Sequence, residues 1–242
     1  MRTEQFATRI SNRANSDLKH ATVSPLRQQR SGASTEPRVV SGRPERSVRV
    51  ETDLHESLRS TLEKSPIIPA ARTVEHVSAA VLSPSSIIFL MCGTPATIDN
   101  LIWRVKHKGK LPIVNLDLLP GFARDTYAVE FLAEAGVAGV ISTHQDVLRA
   151  ARSLGLITVQ RTFAIDSAAL GNCLRRLQDF VPDILELLPA FAGPVVLPKL
   201  HSAFPNLLVI GCGLITSIKE AEDLLRQGMI SVSVCNPSLW IL

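Results

Sequence analysis

From Lys64 onward, short apolar runs of strand length alternate with longer stretches of helical period, and the alternation repeats eight times. Nothing else in the chain restricts its fold as strongly. The runs are "PIIPAA", "SSIIFLM", "LPIVNLDL", "VAGVIST", "LITVQRTF", "DILELLP", "LLVIGCG" and "ISVSVC". Strands separated by helices return to the same end of a sheet, so neighbours pair in parallel through right-handed crossovers. Eight such units close naturally on themselves. The expectation is an α/β chain: a (β/α)8 TIM-type barrel of the phosphate-binding kind, compact against the ~200–250 residues typical of that fold. The alternative is an open doubly wound sheet. Its dinucleotide fingerprint should follow the first strand, and none stands there.

Two of the helical stretches predict their own faces and ends. "DTYAVEFLAEAG" sets Tyr127, Phe131 and Ala135 at i, i+4 and i+8, the spacing of a core-facing stripe. "SIKEAEDLLRQG" sets Ile218, Ala221, Leu224 and Leu225 on one face. Ser217 and Glu220 have capping-box spacing at its start, and Gly228 stops it.

Composition changes at residue 63. Residues 1–50 hold ten Lys and Arg against four Asp and Glu, whereas the whole chain has 26 against 22. The chain's net +4 is therefore a +6 leader on a remainder of −2. "SPLRQQRSGASTEPRVVSGRPERSVRV" has no sustained period and too few large apolar residues to order itself. Residues 1–63 are expected to be a disordered basic N-terminal extension, with a short lead-in helix near "DLHESLRSTLEK", and residues 64–242 the barrel. For the extension, the open readings are a nucleic-acid arm, a solvated tail, a start placed too far upstream and a transit peptide.

The four cysteines, Cys92, Cys173, Cys212 and Cys235, show neither CxxC pairing nor histidine partners at zinc spacing. That usage predicts a reducing cytoplasm and no metal site. No apolar stretch reaches membrane-span length.

In such barrels chemistry gathers at the C-terminal ends of strands. Those ends carry Asn115 and Asp117, Ser142 to His144, Gln160 and Arg161, Glu186, Gly211 to Gly213, and Ser233 to Asn236. Acid, amide, guanidinium and hydroxyl groups converge there, as at a small polar ligand. Asp125 and Asp166 are placed as helix caps or site groups. Loops after strands seven and eight, with a helix N-terminus, recur as a phosphate cradle, so Gly211-Cys212-Gly213 predicts backbone N–H groups against an anion. Cys212 and Cys235 end neighbouring strands, where a disulfide under oxidant is one reading. "WRVKHKGK", Trp103 to Lys110, offers four bases, read either as dipole complementation at a helix end or as a nucleic-acid patch.

Several stretches then carry a resemblance together. They are "PIIPAAR" (66–72), "NLDLLPGFARDTYAVEFL" (115–132), "GVISTH" (139–144), "AARSLGLITVQRTFAIDSAAL" (150–170), "PDILELLP" (182–189), "IGCGLITSIKEAEDLLRQG" and "SVSVCNPSLW". In order and spacing they resemble the glycerol-3-phosphate-responsive antiterminators, which act on the leader mRNA of bacterial glycerol operons. The resemblance runs from about Lys64 to Trp240. It implies a cytoplasmic regulator without catalytic residues, with sn-glycerol 3-phosphate as effector, no cofactor, and leader mRNA as partner. A homo-oligomer is left open, and no membrane is involved. The expected ligand set is Asp117, Arg161, Glu186, Gly211, Cys212, Gly213, Ser233 and Asn236, supported by Asn115, Ser142, His144 and Gln160. In it Arg161 supplies charge, and Asp117 with Glu186 accepts hydrogen bonds from the glycerol hydroxyls. Four positions depart from the family pattern. Asn115 replaces a frequent histidine, His144 a usual arginine and Val234 a hydroxyl residue, and Cys212 interrupts a Gly-Gly pair. The rival functions are an isomerase, aldolase or lyase with Asp117 or Glu186 as general base, and a ligand-binding relic without RNA activity. No lysine ends a strand, which weighs against Schiff-base chemistry.

Overall fold

The apolar runs are buried on both faces, and every one of them is a strand. They are β1 (Ile67–Ala71), β2 (Ile87–Leu90), β3 (Leu111–Asn115), β4 (Gly139–Ser142), β5 (Ile157–Phe163), β6 (Ile184–Leu188), β7 (Leu208–Cys212) and β8 (Ser231–Val234). Each pairs in parallel with the next, and β8 closes on β1 with Ile68 opposite Ser233. The expected eight-stranded barrel is the fold. The computed structural model describes residues 45–241.

The helices are α1 (Glu45–Glu63), α2 (Val74–Ala80), α3 (Ile98–Lys106), α4 (Thr126–Ala135), α5 (Gln145–Ser153), α6 (Ser167–Asp179), α7 (Gly193–Ala203) and α8 (Ile218–Arg226). Short 3-10 turns at Leu116–Leu118, Ala190–Ala192 and Pro237–Leu239 follow β3, β6 and β8. No helix among the described residues is long and apolar enough to cross a membrane.

Strand alternation builds two apolar layers. Ile68, Ala70, Phe89, Ile113, Ile141, Val159, Ile184 and Ile210 fill the barrel. Val114, Val140, Leu185, Val209 and Val232 face the surrounding helices.

Local signals set the helix starts. Asp125 and Asp166 both act as N-caps, accepting from Ala128 N at 2.9 Å and Ala169 N at 2.7 Å. The Ser217–Glu220 capping box forms as its spacing predicts. The predicted face of α4 does not pack inward: Tyr127 is 79% exposed, and Ala128, Val129 and Leu132 are buried instead. The helix is apolar on two sides, and the slimmer residues fit closer to the strands. Phe131 turns to Phe122, their ring centroids 5.6 Å apart.

The expected boundary at residue 63 is also corrected. Leu58 and Leu62 of α1 are buried in the same cluster as Ile68, Ile87 and Leu208. They close the floor of the barrel, one helical turn apart. Ser231 Oγ donates to Leu62 O at 2.9 Å, and His55 Nε2 lies 2.9 Å from Asn206 O. The aliphatic residues at the base of the barrel, Ile87, Leu111 and Leu208 among them, present apolar surface that needs a cover, and α1 supplies it. The part of the expected extension within residues 1–44 lies outside the described residues.

Candidate functional site

Alternation along each strand decides what enters the top of the barrel. Val159 and Ile210 point inward, so Arg161 and Cys212 do too, joined by Glu186 and Ser233. The register sets Arg161 opposite Glu186 and Cys212 opposite Ser233. Arg161 Nε donates to Glu186 Oε2 at 2.6 Å, and Ser233 Oγ donates to Glu186 Oε1 at 2.8 Å. Glu186 is fully buried. Burial alone would lower the Arg161 pKa, and the carboxylate of Glu186 more than offsets it. The guanidinium therefore stays charged inside the barrel.

The arrangement is incomplete in one respect. Arg161 Nη2 is buried with no hydrogen-bond partner among the described residues, and so are Nδ2 and Oδ1 of Asn115. Asn115 lies two residues beyond inward-facing Ile113 and is wholly buried. Buried amide and guanidinium groups are costly to leave unpaired, since each forfeits its hydration without replacement. All three atoms belong to inward-facing residues at the C-terminal end of the barrel.

The other predicted residues divide between rim and exterior. Gln160 and Ser142 face outward, because their strand neighbours Arg161 and Ile141 face inward. Gln160 Oε1 accepts from Gln145 Nε2 at 3.3 Å, on the α5–α6 side. Gly211 also faces outward: a Cβ there would collide with Met229 and lie 2.9 Å from Ala190 Cβ. Its role is close packing of β7 against the outer layer, so it leaves the predicted cradle. Gly213 does make the turn, at φ +81°, followed by Leu214 at φ +61°. Asn236 is exposed, and its Oδ1 accepts from Ser238 N at 3.1 Å.

Part of the predicted anion cradle is already occupied. Glu220 Oε2 accepts from Thr216 N at 2.7 Å and from Ser217 N at 3.1 Å. The chain's own carboxylate thus takes the two amides just ahead of α8. Glu220 leaves the amides of Gly213 to Ile215, the earlier part of the predicted cradle, untouched.

Asp117 is committed to the loop after β4. Its Oδ1 accepts from Ser142 Oγ at 2.7 Å, and its Oδ2 from Thr143 N at 2.6 Å and Thr143 Oγ1 at 2.8 Å. Arg124 Nη2 donates to Asp117 O at 3.0 Å. Asp117 braces the rim, which is a different task from the hydroxyl reading expected of it. His144 is half exposed, its Nδ1 2.9 Å from Thr143 Oγ1. Where the family pattern has arginine at this loop, two other guanidinium groups stand beside it: Arg124, and Arg176, whose Nη2 donates to Thr143 O at 2.6 Å.

Arg72, Arg124 and Arg176 escaped the sequence reading. Arg72 directly follows β1, a strand-end position that signals a rim residue, and it offsets part of the burial that pushes the Cys235 thiol up. Arg176 gives no local signal, because it lies late in α6. Cys212 is pushed up by burial and by Glu186, and remains a thiol. Cys212 pairs with Ser233, so Cys235 lies two residues further on, just past the end of β8. That offset puts the Cα atoms roughly 8 Å apart, beyond disulfide reach, and both cysteines are free.

Known proteins share this architecture. The chain is 29% identical over 182 residues to the uncharacterized protein YgcP of Escherichia coli (strain K12), covering 75% of this chain and 94% of that one. The crystal structure of a glycerol uptake operon antiterminator regulatory protein from Listeria monocytogenes is similar at 28% identity and a TM-score of 0.67. The match covers 72% of this chain and 94% of that one. A glycerol uptake operon antiterminator-related protein from Thermotoga maritima matches at 25% identity and a TM-score of 0.65, over 72% and 96%. A family model described as glycerol-3-phosphate responsive antiterminator matches residues 67–240, from the first strand to the turn after the last. The chain belongs to the glycerol-3-phosphate responsive antiterminator family.

Proposed function

We propose that this protein is a cytoplasmic transcription antitermination regulator that binds sn-glycerol 3-phosphate in the top of its barrel and, so loaded, binds the leader mRNA of a glycerol operon. The observation that carries the reading is the set of unpaired polar atoms, Asn115 Nδ2 and Oδ1 with Arg161 Nη2. An amide offering both donor and acceptor suits vicinal hydroxyls, and a guanidinium suits an oxyanion. A bare phosphate would leave Asn115 unsatisfied, and an uncharged polyol would leave Arg161 unmatched. A polyol phosphate answers both.

In this reading Glu186, held by Arg161 and Ser233, accepts from a glycerol hydroxyl. Asn115 takes the other hydroxyl. The phosphate lies toward Gly213 and the β8 loop, where Arg72 and Arg161 supply charge. Asp117 positions the β4 loop. No further cofactor is invoked.

Calorimetric titration separates the two ends of the ligand. Asn115→Leu keeps the branched shape of the side chain and puts methyl groups in place of both amide atoms. It should weaken glycerol 3-phosphate binding at least tenfold while leaving inorganic phosphate binding unchanged. Equal affinity for glycerol 3-phosphate in the folded variant would refute the reading of the site. A gel shift of the leader RNA, with and without glycerol 3-phosphate, tests the regulatory half.

A further inference from the structure

Resting on that reading, we infer that the α5–α6 flank of the barrel is the RNA-binding surface, and that it holds the phosphates of a base-paired RNA segment. These two helices carry Arg149, Arg152, Arg175 and Arg176 against Asp146 and Asp179. The neighbouring α4 carries Glu130 and Glu134 and no base. On α8, Lys219 and Arg226 face Glu220, Glu222 and Asp223.

The arginines are mounted rather than free. Arg149 Nη2 donates to Asp179 O at 3.0 Å, and Arg152 Nη2 to Val181 O at 2.7 Å. Their guanidinium carbons lie 5.2 and 4.3 Å from the centroid of the Phe180 ring. Arg176 is held by Thr143 O, and Arg175 by Asn172 Oδ1. Each fork spends one nitrogen on its mount, leaving other N–H groups for an outside anion. Holding the forks in place reduces the entropy lost on binding. Arg152 also faces Asp183 at 3.7 Å, so it is the least available of the four.

The aromatic ring beneath the arginines decides the kind of RNA. Phe180 is 6% exposed, so no unstacked base can lie on it. A surface of guanidinium forks without an exposed ring reads backbone and shape, as at double-helical RNA. The rival patch at the end of α3 does expose Trp103, stacked on His107 at 3.8 Å. Of its bases, Arg104 is mounted on Ser78 Oγ much as the flank arginines are, but Lys110 is spent on two carbonyls, Ser83 O and Ser85 O. The α5–α6 flank also has what an effector-gated surface requires, a bonded connection to the site. Thr143 donates to Asp117 on one side and accepts from Arg176 on the other. Gln145 bridges Gln160, beside Arg161, to the backbone of Arg176.

The test is a gel shift of the transcribed 5′ leader of the glycerol operon from the same genome, over a salt series at saturating glycerol 3-phosphate. Arg149→Gln/Arg175→Gln should weaken binding at least tenfold and reduce the log–log salt slope by about two, since each phosphate contact contributes ~0.9. Its calorimetric affinity for glycerol 3-phosphate should equal wild type, which also shows that it is folded. Trp103→Ala/Lys108→Gln should bind the leader as wild type does. An unchanged affinity and slope in the arginine variant overturns the inference and leaves the functional reading standing. Loss of binding in the Trp103 variant alone moves the surface to α3 and overturns it equally. A wild-type protein that shifts no leader RNA removes both.

Discussion

Arg161 carries a charge into the barrel, where it forms an ion pair with Glu186, and that pairing sets what the two side chains contribute. Removing a charge from water is expensive, and a buried pair often adds little net stability against an apolar replacement. Breaking it from one side is different, because the remaining charge is stranded. Arg161→Met should cost about 3–5 kcal/mol in urea denaturation. Adding Glu186→Gln to that variant should recover most of the loss. Both changes should abolish glycerol 3-phosphate binding in calorimetry, including in the stable double variant. That outcome separates a site residue from a residue kept for stability. A single Arg161→Met variant as stable as wild type would contradict the buried geometry. Among the described residues the Asn115 side chain has no partner to strand, so its replacement tests the ligand alone.

Among the elements, α8 has a start that the chain caps with its own side chains. Ser217 and Glu220 pair reciprocally, and the N–H groups of Thr216 and Ser217 hold the Glu220 carboxyl below the usual carboxylate range. A depressed folded pKa stabilises the fold above the ordinary glutamate value of ~4.3. The contribution is lost as the pH falls through the lower folded value. Glu220→Gln keeps an acceptor at the same position without the titration. Its thermal midpoint should therefore fall less steeply than wild type below about pH 4.3, with the curves meeting at the acid end. Parallel acid limbs would show that the cap carries no such linkage. The β7 glycines next to this helix have separate causes. Gly211 clears space for Met229 and Ala190, and Gly213 adopts the left-handed backbone.

For the whole molecule, the controlling fact is that the barrel has a floor. Leu58 and Leu62 seal the base with Ile68, Ile87 and Leu208, and the next strands hang from α1 through Ser65 and Ser231. Leu62→Ala should cost about 2–5 kcal/mol, as expected when a buried leucine leaves a cavity. Removing residues 1–63 should lower the urea midpoint further, since it exposes the whole base. A truncated chain with an unchanged midpoint would restore residue 63 as a domain boundary. This floor is at the end of the barrel opposite the site, so Leu62→Ala should leave the affinity for glycerol 3-phosphate unaltered where the protein is folded.

The amino-acid sequence by itself determined the number and order of the strands, their parallel pairing, and the caps Asp125, Asp166 and Ser217. Each of these is written in a window of a few residues, where spacing alone fixes the outcome. The strand ends also brought four polar residues to one end of the barrel for the same reason: Arg161, Glu186, Cys212 and Ser233 all enter it. Only the tertiary structure decided which polar residues meet. Gln160 and Arg161 are adjacent in the chain and lie on opposite faces of β5, and the phase of that alternation is set by packing. Glu186 is joined to Arg161 across 25 residues and to Ser233 across 47, and the floor contact of Ser231 with Leu62 spans 169. Pairings at such separations depend on how the whole sheet closes. Among the described residues the closed barrel also left the Asn115 amide and one nitrogen of Arg161 without partners, a property of the completed interior that no local pattern contains.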